Sequence, residues 1–350
     1  MTGNDQTARV RIAQLGVGRI GVGHAQALAA NPSVELTVCD VDTDRAAQVA
    51  AGLTPVSGVP VAAASVESVF EEPGNFDGVV IATPTQTHEE LIIKAADAGL
   101  ALFCEKPVAV DLEGTLRSIK SVHDAGVASQ IGFQRRFDPG YLEARRRVQS
   151  GEIGDLHRVH MLTCDQNPPP ENFVAASGGI WRDCVIHDVD VLRWITGQEV
   201  EEVFAYGAVR GDEYFTKHDD IDEGVAVLRL KDNTLVTAHT SRNNGQGYDV
   251  RMELAGSRGQ VTVGLEPKVP LVSAEPGVTF PDAEPWNDFI ARFKECYEVE
   301  LAEFVDVVAG KKPSPCTVDD ALEALYVTLA LGVSRREGRP VKVEEMRTHG

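Results

Sequence analysis

The sequence predicts an α/β N-terminal domain on a parallel sheet, followed by an α+β C-terminal domain with an open, mainly antiparallel sheet. Three observations carry this. Over residues 1–130, short apolar runs alternate with helical patterns. Beyond about residue 150, longer alternating runs follow one another across turns. A chain of 350 residues is also long enough for two cores.

"VRIAQLG" (10–16) reads as a strand ending in glycine, and a helix follows from about Arg19 to Ala30. "VELTVCD" (34–40), "GVVIAT" (78–83), "ALFCE" (101–105) and "ASQIGF" (128–133) are further strands, with helical stretches near 86–98 and 111–125. Apolar strands alternating with helices imply a parallel sheet covered on both faces. In the second part, "LHRVHMLTCD" (156–165), "EVFAYGAVR" (202–210), "GVAVLRL" (224–230), "LVTAHTS" (235–241), "DVRMELAG" (249–256) and "GQVTVG" (259–264) alternate, punctuated by turns such as "KDNT" and "GSRG". Consecutive strands joined by turns imply an antiparallel sheet. Two helices near 286–309 and 318–336 close the chain, and the domains are assigned as 1–130 and 131–350.

Charge narrows the partners. Lys and Arg number 33 against 53 Asp and Glu, a net charge of −20, which argues against nucleic acid and anionic membrane. "MTGNDQTARV" has no apolar core of a secretory signal, and no apolar run reaches membrane-spanning length. The six cysteines are scattered without CxxC spacing, so they read as small buried residues of a cytoplasmic protein.

"GVGRIG" (16–21) follows the first strand and opens a helix, and Asp40 lies 19 residues beyond Gly21 at the end of the second strand. In that context Gly16, Gly18, Arg19 and Ile20 form a turn whose backbone N–H groups meet a dinucleotide pyrophosphate, and Asp40 accepts from a ribose. An NADP 2′-phosphate would meet Asp40, and Val41, Asp42, Thr43 and Asp44 offer no cation. Arg45 comes a full helical turn late, so NAD is the predicted cofactor.

"ATPTQTH" (82–88) and "CEKP" (104–107) end the fourth and fifth strands, where open parallel sheets bind ligands. Lys106 there either polarises a substrate oxygen or exchanges its proton, or it pairs with Glu105 to organise a loop. "GGIWRDCVIHDVDVLRW" (178–194) places Asp183, His187, Asp190 and Trp194 on one face at 100° per residue. Asp183 orients His187 for proton transfer on one reading. On others the face caps neighbouring loops, or His187 and an Asp share a metal. No further His or Cys cluster accompanies them, and no metal is predicted.

Together, "GVGRIG", "ATPTQTH", "CEKP", "IGFQRRFDPGY" (131–141), the 178–194 helix and "NNGQGYD" (243–249) resemble the Gfo/Idh/MocA oxidoreductases, and within them the inositol 2-dehydrogenases. The resemblance covers nearly the whole chain. It implies an NAD-binding Rossmann domain, then a substrate domain whose sheet forms a subunit interface in dimers or tetramers. It places Lys106, Asp183 and His187 at catalytic positions and Thr83, Pro84, His88, Glu105 and Lys106 beside the nicotinamide. It implies a cis peptide before Pro107. Arg135, Asn167 and Tyr248 fall on substrate positions, and Gln246 stands where some inositol enzymes have a tyrosine. His187 then takes a hydroxyl proton, Asp183 stabilises the imidazolium, and Lys106 holds the oxygen. Asp190 is expected to anchor the helix to the nucleotide domain.

These side chains supply both donors and acceptors, which suits an uncharged cyclic polyol, whereas a sugar phosphate would require a cluster of cations. Arg136, Arg182 and Arg242 lie near in sequence. Two rivals remain: the same family acting on a sugar, amino sugar or antibiotic precursor, and a non-catalytic NAD-binding sensor. A sensor requires Gly16, Gly18 and Asp40, but has no use for Lys106, Asp183 and His187 together.

Overall fold

Strand β1 (Val10–Leu15) buries Ile12, Ala13 and Leu15 completely, as a strand covered on both faces must. The computed structural model describes residues 9–348, so most of the N-terminal stretch read for a secretory signal lies outside the described residues. Helix α1 (Gly21–Ala30), β2 (Val34–Cys39), α2 (Thr43–Ser57), β3 (Ala62–Ala64), α3 (Val66–Glu71) and β4 (Gly78–Ile81) follow. Next come α4 (His88–Asp97), β5 (Ala101–Glu105), α5 (Leu112–Ala125) and β6 (Ser129–Gly132). The six strands are parallel in the order β3-β2-β1-β4-β5-β6. The order reverses between β1 and β4, which opens a crevice at their carboxyl ends.

The segment 43–71 carries no strong sequence signal. Strand β3 is three alanines, α3 is six residues, and α2 holds Pro55 inside it. Its local chemistry still specifies α2: the Asp42 side chain accepts from the Arg45 N–H at 3.0 Å, and Gly58 ends the helix at φ 68°.

The second unit begins with α6 (Pro139–Gln149) and β7 (Leu156–Cys164), then α7 (Glu171–Ser177). A π-turn at Trp181–Val185 leads into α8 (Ile186–Thr196). β8 (Val200–Ala208), α9 (Tyr214–Lys217), β9 (Glu223–Leu230), β10 (Leu235–Ser241), β11 (Asp249–Gly256) and β12 (Gln260–Val263) complete most of the sheet. Helices α10 (Phe289–Val308) and α11 (Val318–Glu337), then β13 (Val341–Lys342) and α12 (Glu344–Arg347), end the described chain. The sheet is open, in the order β12-β11-β7-β10-β9-β8-β13. Its pairs are antiparallel except β7 with β10, which run parallel so that Cys164 and Ser241 lie side by side. Those two strands therefore deliver their exit loops to one place.

A single cut at residue 130 needs correction. The chain divides into one unit up to Gln134 with Glu295–Leu322, and another of Arg135–Lys294 with Glu323 onward. The cause is apolar. Leu301, Phe304 and Val305 recur at helical spacing and join Ile12, Val38, Val80 and Phe103 in the first unit's core. Among the described residues no helix is long and apolar enough to cross a membrane.

Candidate active site

The glycine turn divides its work. Gly16 has φ +91°, and a Cβ there would lie 2.8 Å from the Ala82 carbonyl oxygen. A Cβ on Gly21 would lie 2.2 Å from the Gly16 carbonyl oxygen. Those two glycines close the turn against β4 and α1. Gly18 faces open space, with nothing within 4 Å of a Cβ. Arg19 is exposed beside it and Ile20 is half-buried. Ile20 gives α1 no side-chain cap and the first turn has no acid, so the helix N-terminus keeps its affinity for an anion. Asp40 is buried; one of its oxygens accepts the Val17 N–H at 2.9 Å and the other the Asp42 N–H at 3.0 Å. It braces the turn and retains lone pairs for a ribose hydroxyl. Arg45 lies 3.9 Å from Asp42. An open glycine cradle, an uncapped helix and an acid at β2 fit NAD.

Two loops at the neighbouring strand ends are joined by His88. One ring nitrogen lies 2.7 Å from the Pro107 carbonyl oxygen and the other 2.9 Å from that of Thr83. His88 is buried, so its side chain acts on the site through both loops. Thr83 is half-buried, within 2.7 Å of the Thr87 hydroxyl, and Pro84 is exposed. The Lys106–Pro107 peptide is cis and Lys106 is half-buried. The buried Glu105 carboxylate lies 2.6 Å from His24 Nε2, whose ring also meets Phe103 edge-on. His24 was not legible as a partner, because its only sequence signal is a place on α1.

The acidic helix shows why its face carries so many carboxylates. The π-turn over Trp181–Val185 breaks the 100° spacing just where Asp183 sits, a feature that recurs at functional sites. Its acids then go separate ways. Asp183 Oδ2 lies 2.7 Å from Arg242 Nη2. Asp188, buried, accepts from Arg135 at 2.6 Å and from the Thr163 hydroxyl at 2.8 Å. Burial pushes the Asp188 carboxyl up, while Arg135 and Thr163 pull it back. Asp190, fully buried, takes two bonds from Arg136 at 2.8 and 2.6 Å. Asp190 thus meets Arg136, from the turn before α6, inside its own unit. His187 is buried one turn after Asp183.

Arg135 also needs correction. It is 1% exposed, and its guanidinium donates to Asp188 and to Thr163 at 3.0 Å. Those bonds make it a core partner of α8 rather than a substrate contact. Asn167 and Gln246 are exposed on the loops after β7 and β10. Tyr248 is buried, edge-on to Phe293, and burial raises its phenol well above the usual value, which keeps the hydroxyl a donor.

The first unit thus offers an open glycine turn at an uncapped helix with an acid beside it, which fits the pyrophosphate and ribose of NAD in an NAD-dependent oxidoreductase. A family model described as an oxidoreductase family with an NAD-binding Rossmann fold matches residues 10–133, and the GFO/IDH/MocA C-terminal domain matches residues 141–262. The chain belongs to the Gfo/Idh/MocA oxidoreductase family. It is 36% identical over 345 residues to the scyllo-inositol 2-dehydrogenase (NAD(+)) of Bacillus subtilis, covering 97% of this chain and 98% of that one. It is 35% identical over 339 residues to the myo-inositol 2-dehydrogenase of Thermotoga maritima, covering 96% and 99%. Among solved structures it resembles the Lactobacillus casei scyllo-inositol dehydrogenase with bound NAD(H) and scyllo-inositol, with TM-score 0.81, 27% identity, and coverage of 96% and 99%.

Proposed function

We propose that the protein oxidises one ring carbon of an uncharged cyclic polyol, myo-inositol or a stereoisomer, to a ketone. Gly18 and Asp40 would hold NAD, which when bound would supply the hydride acceptor. His187 takes the hydroxyl proton, Asp183 stabilises the imidazolium, and Lys106 holds the oxygen and the charge that develops on it. Thr83, Pro84 and the cis Lys106–Pro107 peptide shape the nicotinamide side, held by His88 and Glu105.

The observation that carries the choice of substrate is the fate of the arginines. Arg135, Arg136 and Arg242 are each buried and hydrogen-bonded to an aspartate, Asp188, Asp190 and Asp165 in turn, so none is offered to a phosphate. Asn167, Gln246 and Tyr248 supply neutral donors and acceptors instead. The relatives named for myo- and scyllo-inositol support the same class. The test is initial-rate NADH formation with myo-, scyllo- and chiro-inositol, glucose and a sugar phosphate at matched concentration. An inositol should lead; NADH from the phosphate alone, or from no polyol, overturns the reading.

The second unit also supports self-association. On the open face of its sheet, Val225 lies opposite Tyr206 and His239, and Val227 opposite Phe204 and Thr237. Tyr206, Val225 and Val227 are 64%, 49% and 50% exposed, an apolar patch of the kind that closes in dimers or tetramers. All six cysteines are buried, which supports the cytoplasm as its compartment.

A further inference from the structure

We propose that Arg242 is the positioning residue of the proton-transfer unit, locking the Asp183 carboxylate and setting the charge that His187 feels. This rests on the reading that Asp183 and His187 act on a hydroxyl.

The parallel pairing of β7 and β10 makes the lock possible. Ser241 faces Cys164, so the next residue of each strand, Arg242 and Asp165, emerge together. The Asp165 N–H donates to the Ser241 carbonyl oxygen at 2.9 Å, and the Arg242 N–H to that of Asp222 at 2.8 Å. With its backbone so fixed, Arg242 donates through Nη1 to Asp165 Oδ2 at 2.9 Å and sets Nη2 2.7 Å from Asp183 Oδ2. Its side chain is 3% exposed. One guanidinium therefore joins the loop leading to Asn167, the π-turn, and the loop leading to Gln246 and Tyr248. The Asp165 carbonyl oxygen also accepts the Asn244 N–H at 2.8 Å, tying the last of these loops to the same point.

The charges follow. Asp165 and Asp183 with Arg242 sum to one negative charge, which protonation of His187 cancels. Without Arg242, Asp165 and Asp183 would lose the counter-charge they share, and Asp183, one helical turn before His187, would hold the imidazolium proton too tightly to release it. Other titratable groups surround the lock. Cys184 Sγ is 3.8 Å from Asp165 Oδ2. Asp220 is bonded to the Ile180 N–H, and Asp222 to the N–H groups of Arg210 and Gly211. The phenols of Tyr214 and Tyr248 also feel this cluster.

The test reads the His187 titration directly, by NMR of histidine-labelled full-length protein with its resonance assigned through His187→Gln, alongside the pH profile of kcat/KM for an inositol. Arg242→Met should raise the His187 midpoint by roughly one pH unit, and Asp165→Asn should lower it by a similar amount, as a unit charge near a partly buried ring does. Arg242→Lys keeps the charge and should keep the midpoint. Turnover should fall ~10–100-fold in Arg242→Met through lost orientation, with NADH affinity retained and partial recovery in Arg242→Lys. Shifts of the same sign, or no shift in Asp165→Asn, overturn the proposal. If Arg242→Met does not fold, Asp165→Asn and Arg242→Lys decide. If the unmodified protein oxidises no polyol, the functional reading fails, while the NMR titration still judges Arg242.

Discussion

Arg135 offers the sharpest test of structure against resemblance, because the two assign it different work. The structure buries its guanidinium against Asp188 at 2.6 Å and Thr163 at 3.0 Å, with Arg135 and Asp188 both 1% exposed. Arg135→Met leaves a desolvated carboxylate, and Asp188→Asn leaves a desolvated guanidinium. Breaking one side of such a pair costs about 3–5 kcal/mol. For a unit of this size each kcal/mol is about 2–4 °C, so the second unit's thermal midpoint should fall by about 6–20 °C. Replacing both partners, Arg135→Met with Asp188→Leu, removes the uncompensated charge and should recover most of the loss, less about 1–3 kcal/mol for the Thr163 hydroxyl left without its acceptor. The deficit of Arg135→Met should also depend on pH. Burial raises the folded Asp188 carboxyl above its unfolded value, and losing Arg135 raises it further. The folded state then binds a proton that the unfolded state releases, so stability falls as pH rises through that range. The deficit should be larger at pH 8 than at pH 5. Calorimetry across pH, with KM for an inositol measured in parallel, checks both. A raised KM in Arg135→Met with an unchanged midpoint would refute the core assignment and restore Arg135 to the substrate.

Asp40 should make NADP a poor cofactor, with partial relief in Asp40→Ser; equal kcat/KM for NAD and NADP in the unmodified protein would sink the charge argument. Lys106→Ala and His187→Ala should each lower turnover ~10²–10⁴-fold while NADH fluorescence titrations stay near normal. Near-normal turnover in His187→Ala would remove it from the mechanism. Val227→Glu places a charge in the exposed patch of β8 and β9 and should shift sedimentation toward the monomer; an unaltered assembly would move the subunit contact elsewhere.

Much of this architecture is legible in the sequence because it is local. Strands β1, β2, β4, β5 and β6 are apolar runs bounded by turn residues, and the glycine turn points to its ligand by its place between strand and helix together with its spacing to Asp40. The parts that stayed hidden are non-local or nearly silent. Nothing in the periodicity of Leu156–Cys164 or Leu235–Ser241 says that β10 will lie parallel to β7. The return of Leu301, Phe304 and Val305 to the first core looks like any amphipathic helix. The π-turn is invisible to a reading that assumes 100° per residue. The arginine partners are chosen across 53, 54 and 59 positions, in Arg135–Asp188, Arg136–Asp190 and Arg242–Asp183. Pattern reasoning has no access to such a choice.

Those three links explain what the acidic helix is built to do. Asp183, Asp188 and Asp190 leave its axis in different directions, and each meets an arginine held by other elements: one at the exit of β10, two in the turn before α6. A helix held only by Val185, Val189 and Leu192 could slide or roll at little cost, since apolar contacts are non-directional. Rolling this one would strand charges on several sides together. Buried pairs contribute little over well-packed apolar residues of the same volume, but removing one partner costs several kcal/mol, and that asymmetry penalises misplacement. The same pairs absorb the cations that would otherwise favour an anionic ligand. One set of contacts thus fixes the helix that carries His187 and occupies the arginines around it.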